Sequence, residues 1–167
     1  MVTDRIQRIT AANQALLSFL PIWEATRHQA GTADLAFGNP QEMVVDGFAS
    51  ALTSATAPRD KNHYAYKFSE EASQRTVAGH LLEWRGQEFE PEDIALTPGA
   101  FGAIAIALGA LIDSGDEVIY FDPPWFFYRS MILAAGGTPV NVPVRSDDYD
   151  LDLERLAAAI TAKTRLL

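Results

Sequence analysis

From Ile94 onward the pattern of apolar and polar positions switches repeatedly between a strand period and a helix period. Ile94 to Thr97 reads as a short strand, Gly99 to Ile112 as a helix, Glu117 to Phe121 as a strand and Trp125 to Ala135 as a helix closed by Gly136 and Gly137. Pro139 to Val144 reads as another strand, Leu151 to Ile160 as a helix, and Thr164 to Leu167 as the opening of one more strand. Strands that alternate with helices of roughly ten or more residues require parallel crossovers, so the predicted class is α/β, with a layered sheet.

The upstream half follows a different pattern. Ile6, Ile9, Asn13, Leu16, Leu17 and Leu20 recur at helical spacing, which predicts one docking helix from Asp4 to Leu20 ended by Pro21. Asp34 to Phe37 is short and apolar, Gly38-Asn39-Pro40 is a turn, and Met43 to Thr53 is helical again. Ala55 to Phe68 is read as a loop. Ser69 to Gly86 is read as a helix, with Ser69 as its cap, Glu70 and Glu71 in its first turn and Gly86 at its end.

Composition narrows the chemistry. The 167 residues carry 13 Lys plus Arg against 22 Asp plus Glu, a net charge of −9, which argues against a nucleic-acid partner because such affinity rests on neutralising phosphates. With no cysteine there can be no disulfide, thiolate metal site, iron–sulfur cluster or cysteine nucleophile. Asp4, Arg5, Gln7 and Arg8 run into Leu16, Leu17, Phe19 and Leu20 without the continuous apolar stretch and small-residue cleavage site of a signal peptide, so no targeting signal is expected. The longest apolar run, Ile94 to Ile112, is broken at Pro98 and Gly99 and leaves about 13 helical residues against the ~20 that a membrane span needs. The expectation is a cytoplasmic protein with no membrane partner. His28, His63 and His80 show no metal-ligand spacing, so no metal site is expected; they read as surface or structural residues. Arg129, Arg145 and Arg155 read as ordinary surface charge, and Asp147, Asp148, Asp150 and Asp152 as a solvated loop that complements a helix dipole.

In an α/β sheet, ligands bind beyond the carboxyl ends of the strands, which singles out two loops. The first is Thr97-Pro98-Gly99-Ala100-Phe101-Gly102, where glycine permits a sharp turn into a helix whose N–H groups and dipole favour an anion. The helix is almost wholly small and apolar, with Gly102, Ala105 and Gly109 on one face, and is expected to lie buried between layers; glycines kept for close packing alone are the plain alternative. The loop is neither a P-loop nor a dinucleotide fingerprint. The second loop is Asp122-Pro123-Pro124-Trp125-Phe126-Phe127-Tyr128, where two prolines stiffen the backbone and Trp125 is placed to stack on a planar ring, unless the aromatics are simply core.

The order Gly38-Asn39-Pro40, Tyr64, Thr97-Pro98-Gly99-Ala100-Phe101, Gly115-Asp116-Glu117-Val118, Pro123-Pro124-Trp125-Phe126-Phe127-Tyr128 and Ala134-Ala135-Gly136-Gly137 resembles the N-terminal half of class I/II pyridoxal-phosphate aminotransferases of fold type I. The resemblance runs from about Asp34 to the last residue. It implies a three-layer, mostly parallel sheet, with residues 1–50 as a helical segment and substrate-side turn and residues 51–167 as the first part of the cofactor-binding large domain. It also implies pyridoxal 5'-phosphate as cofactor, amino acid and 2-oxo acid substrates, and a homodimer. By the same resemblance Gly99, Ala100 and Phe101 hold the cofactor phosphate through backbone N–H groups, and Trp125 stacks on the pyridine ring. Tyr64, or Tyr66 if the loop is shifted, reaches the phosphate in the neighbouring subunit, and Gly38 lies against the substrate carboxylate.

The departures are specific. Ala100 and Phe101 offer only backbone donors where relatives often have a polar side chain. The Asn-Pro-x-Gly motif expected after the strand at Thr164 does not appear, nor do the residues that the resemblance implies further on, an aspartate that pairs with the pyridine nitrogen, a lysine that forms the Schiff base and an arginine that holds the substrate carboxylate; Lys61, Lys67 and Lys163 match no such position. The apolar ending Arg165-Leu166-Leu167 is accordingly read as that of a fragment of a longer protein, a short C-terminal edge strand being the alternative. Two other readings compete. Asp122-Pro123-Pro124-Trp125 matches the Asp-Pro-Pro-aromatic motif of S-adenosylmethionine-dependent amino-group methyltransferases, and the missing lysine suits a non-catalytic partner domain.

Overall fold

The computed structural model describes residues 2–40 and 42–167. The chain divides into two compact units, one joining the segment that ends at Ala33 with Thr97–Leu167, the other formed by Asp34–Leu96. The sequence reading put its boundary after residue 50.

In the first unit, α1 (Asp4–Ala12) and α2 (Gln14–Thr26) replace the expected single helix. The break falls at Asn13, whose φ of −95° and ψ of 2° leave the helical region, and not at Pro21, which lies inside α2. Pro21 removes one backbone donor from α2 without ending it.

The second unit holds α3 (Phe48–Thr56), α4 (Glu71–Arg85) and a 3-10 turn, Pro91–Asp93. The helix expected from Met43 begins only at Phe48, after a turn at Asp46 and Gly47. The cap of α4 is Glu70, not Ser69. The Glu70 carboxylate accepts from Lys67, whose Nζ sits 2.5 Å away and holds that group below its usual range. Ile94 to Thr97 forms no strand. Ile94 is extended, but its carbonyl accepts from the side chain of buried Gln74 at 2.7 Å, and none of the described strands pairs with it.

The first unit continues with α5 (Gly99–Leu111), β1 (Glu117–Asp122), α6 (Tyr128–Ala135), β2 (Thr138–Pro143), α7 (Leu153–Ala159) and β3 (Thr164–Leu166). The sheet order is β2-β1-β3, all parallel, with Glu117 opposite Thr138 on one side and Thr164 on the other. The apolar run Val118-Ile119-Tyr120-Phe121 suits the central position, because a parallel strand is covered on both faces. From β1 the chain steps to β2 through α6 and then returns across β1 to β3 through α7. By the general rule that such crossovers are right-handed, connections running in opposite directions carry their helices on opposite faces, in keeping with the expected three-layer α/β arrangement.

Leu108, Ile112, Val118, Met131 and Ile132 form the core of this unit, with Ile104, Tyr120, Phe127, Ala135 and Leu166 packed against it. The expectation that α5 is buried between layers is corrected: of its residues only Leu108 is buried, while Ile106 and Leu111 are more than half exposed. Within this unit α5 packs laterally on α6, so one stripe of the helix is covered and the rest of its apolar surface is left open.

After β2, Arg145 is more than surface charge. Its Nε and Nη2 donate to Asp148 at 3.0 and 2.5 Å, its N–H donates to the Asp150 carbonyl, and its carbonyl accepts from Tyr149 N–H. Asp152 caps α7 by accepting from Arg155 N–H at 3.0 Å, in keeping with the expected dipole complement.

Two predictions follow from this packing. A Cβ on Gly137 would lie 2.7 Å from Ile112 Cδ1 and 3.1 Å from Ile132 Cγ2, so Gly137→Ala is expected to lower stability by about 1–3 kcal/mol, read from urea unfolding. Hydrogen bonds from Arg145 and from Asp150 N–H depress the Asp148 carboxyl to about 2. A depressed carboxyl contributes stability above its unfolded-state value, and loses it as pH falls through the folded-state value. Arg145→Gln is therefore expected to move the Asp148 titration, followed by carboxyl-carbon NMR, back up toward the ordinary aspartate range.

Candidate active site

The reversal of direction after β2 makes the crevice between the carboxyl ends of β1 and β3 a topological switch point, where open α/β sheets bind ligands. The segment leaving β1 at that end is Pro123 to Phe127, and it carries Trp125.

Gly99 opens α5 at a φ of +74°, a conformation that side chains rarely adopt. Its own N–H is engaged, donating to the Thr97 carbonyl at 2.7 Å, and Thr97 Oγ1 donates to the Gly99 carbonyl at 2.8 Å. Gly99 therefore shapes the turn, and the N–H groups that follow it, those of Ala100 and Phe101, are the donors at the helix start. Pro98 at the cap supplies no side-chain hydrogen bond to them. Backbone donors at the positive end of the helix dipole attract an anion.

The Phe101 ring connects this turn to Trp125. Its centroid lies 5.8 Å from the Trp125 ring at an interplanar angle of 80°, and 5.5 Å from Phe127 at 79°. Trp125 in turn meets Phe127 edge-on at 5.3 Å and Tyr128 at 5.4 Å. The carbonyl of Phe127 is held by the Ser130 hydroxyl at 2.9 Å. Trp125 keeps about a third of its surface exposed, as a stacking plate requires. Phe127 and Tyr128 were not singled out by the sequence as supports for the indole; the signal was there, in aromatic residues directly after a Pro-Pro pair.

Gly99, Ala100, Phe101 and Trp125 are thus brought together in the first unit. Gly38 and Tyr64 belong to the second. At Gly38 an added Cβ would meet nothing within 4 Å. The Tyr64 hydroxyl donates to the Thr56 carbonyl and its ring stands edge-on to His63, yet most of its surface is exposed. His63 has a structural role in this loop: its Nδ1 accepts from Arg59 N–H and its Nε2 lies 3.1 Å from the Ala55 carbonyl. Tyr66 is fully exposed. The carbonyl of Lys163 accepts from Glu117 N–H at the amino end of the sheet, opposite the Trp125 loop.

Comparison with known proteins places this arrangement. The family model for aminotransferase class I and II matches residues 31–167. The chain is 33% identical over 141 residues to kynurenine–oxoglutarate transaminase 1 of Mus musculus, covering 77% of this chain and 32% of the mouse protein. It is 35% identical over 145 residues to a probable aspartate/prephenate aminotransferase of Thermus aquaticus, covering 86% of this chain and 38% of that one. Among solved structures, N-succinyldiaminopimelate aminotransferase from Mycobacterium tuberculosis superposes with a TM-score of 0.76 at 27% identity, over 99% of this chain and 42% of that chain. The chain therefore spans well under half the length of these relatives. Neither the methyltransferase alternative for Asp122-Pro123-Pro124-Trp125 nor the non-catalytic one finds support in these matches.

Because nothing would obstruct a Cβ at position 99, Gly99→Ala isolates the backbone term. It is expected to cost about 1–2 kcal/mol of stability in urea unfolding, from the left-handed conformation alone.

Proposed function

Since the chain belongs to the class I and II aminotransferases, we propose that it seats pyridoxal phosphate in an enzyme that moves an amino group between an amino acid and a 2-oxo acid. The observation that carries this reading is the meeting of an anion-attracting helix start with an indole plate through the Phe101–Trp125 contact, at the carboxyl end of β1.

The residues present fit the group. A phosphate needs several N–H donors that no side chain has claimed, and the turn after Gly99 offers those of Ala100 and Phe101. A pyridine ring needs a flat apolar partner, and Trp125 offers one that is exposed yet braced. When bound, the cofactor serves as the electron sink for chemistry at the amino acid's α-carbon. The chain's own contribution is positioning: Ala100 and Phe101 N–H groups orient the phosphate, and the Trp125 indole covers one ring face and keeps water from it. Gly38 leaves room for a substrate carboxylate. Tyr64 serves the phosphate of a neighbouring subunit, exchanging its bond to the Thr56 carbonyl for one to the phosphate, with Tyr66 as the alternative. A cytoplasmic homodimer is the setting this reading implies. The lysine, aspartate and arginine that complete the chemistry in such enzymes have no counterpart in this chain, so amino-group transfer is proposed for the whole protein.

Equilibrium dialysis tests the reading directly. The chain is expected to bind pyridoxal phosphate saturably and in competition with inorganic phosphate. Trp125→Ala is expected to weaken binding by about 1 kcal/mol, roughly fivefold, with competition by phosphate unchanged. Absence of saturable binding to the folded chain would overturn the proposal.

A further inference from the structure

The ring of Phe101 has no part in a cradle built from backbone donors, yet it makes the contact that joins the two halves of the site. Phe101, Trp125 and Phe127 stand mutually near-perpendicular, at 80°, 79° and 79°, with centroids 5.3 to 5.8 Å apart. Edge-to-face packing of this kind is favourable because the positive edge of one ring meets the negative face of another. Trp125 sits in a loop and keeps about a third of its surface exposed, so burial alone does not define the plane of its indole. Phe127 and Tyr128 follow Trp125 closely in the chain, at the start of α6, whereas Phe101 reaches the indole from a different element. Phe101 belongs to α5, the helix whose first N–H groups are the donors of the proposed phosphate turn.

We propose that the Phe101 side chain is a positioning residue: its ring sets the plane of the Trp125 indole relative to the N–H turn, so that phosphate and ring are gripped in register. This rests on the reading of Trp125 as the ring plate. One residue then plays two separable parts, its N–H toward the phosphate and its ring toward the indole. A substitution that keeps the backbone and removes only the aromatic edge separates them. Leucine preserves apolar bulk without a ring, and tyrosine preserves the ring.

The test uses the full chain with Trp23→Phe and Trp84→Phe, which leaves Trp125 as the sole indole. In that background, Phe101→Leu is expected to lose most of the near-ultraviolet circular dichroism of Trp125 while the far-ultraviolet spectrum is retained, and Phe101→Tyr is expected to keep both. Pyridoxal phosphate should bind roughly three- to tenfold more weakly to Phe101→Leu, with inorganic phosphate affinity unchanged in both variants. An unaltered indole signal in Phe101→Leu would overturn the proposal. So would parallel weakening of pyridoxal phosphate and inorganic phosphate, which would mean that the ring supports the turn and not the indole. If the unsubstituted chain binds no pyridoxal phosphate, the cofactor reading fails, and the indole signal still decides whether Phe101 positions Trp125.

Discussion

The pairing of β1 on both of its edges is the constraint on which the first unit depends. Its apolar run is held in register by β2 on one side and β3 on the other, and the loop that leaves its carboxyl end starts from a defined point. Reversal of the chain across β1 opens the crevice beside that loop, and the crossover helices close the faces. Val118 and Ile119, within β1, are among the most buried of the described residues, Val118 packed against Leu108, Ile112, Met131 and Ile132.

Close approach of the crossover to the helix before it sets how tightly this frame is closed. Gly137 lies against Ile112 and Ile132 with no room for a methyl group, which brings the end of α6 down onto the core residues that also anchor α5. The N–H turn at Gly99 and the aromatic loop after β1 are in this way attached to one packed body, and Phe101 bridges them at its edge.

Much of this was legible in the residues. The α5, β1, α6, β2, α7 and β3 sequence follows from period and punctuation, because each element is long enough or apolar enough to state its own preference. Elements whose state depends on a partner were misread. Ile94 to Thr97 has strand composition, but its carbonyl is taken by Gln74 and it has no ladder among the described strands. Pro21 looks like a stop signal, yet the helix tolerates it and breaks at Asn13. Ser69 has the chemistry of a cap, yet the helix starts one residue later, with Glu70 at the cap position and its carboxylate bound to Lys67.

By itself the sequence determined the fold class, because turn glycines, prolines and apolar periods act over a few residues, and its ordered motifs resembled the family that the comparison shows. Of its two singled-out loops only the one after β1 leaves a strand of the sheet, since Ile94 to Thr97 pairs with none of the described strands. The tertiary structure alone decided that Gly99 spends its own N–H on the turn, that α5 is covered along one stripe only, and that Phe101, Trp125 and Phe127 meet at right angles. The covering of α5 by α6 and the meeting of Phe101 with Trp125 are relations between segments distant along the chain, set by what packs alongside, whereas the Gly99 turn closes on Thr97 two residues away and depends on the φ of +74° that glycine permits.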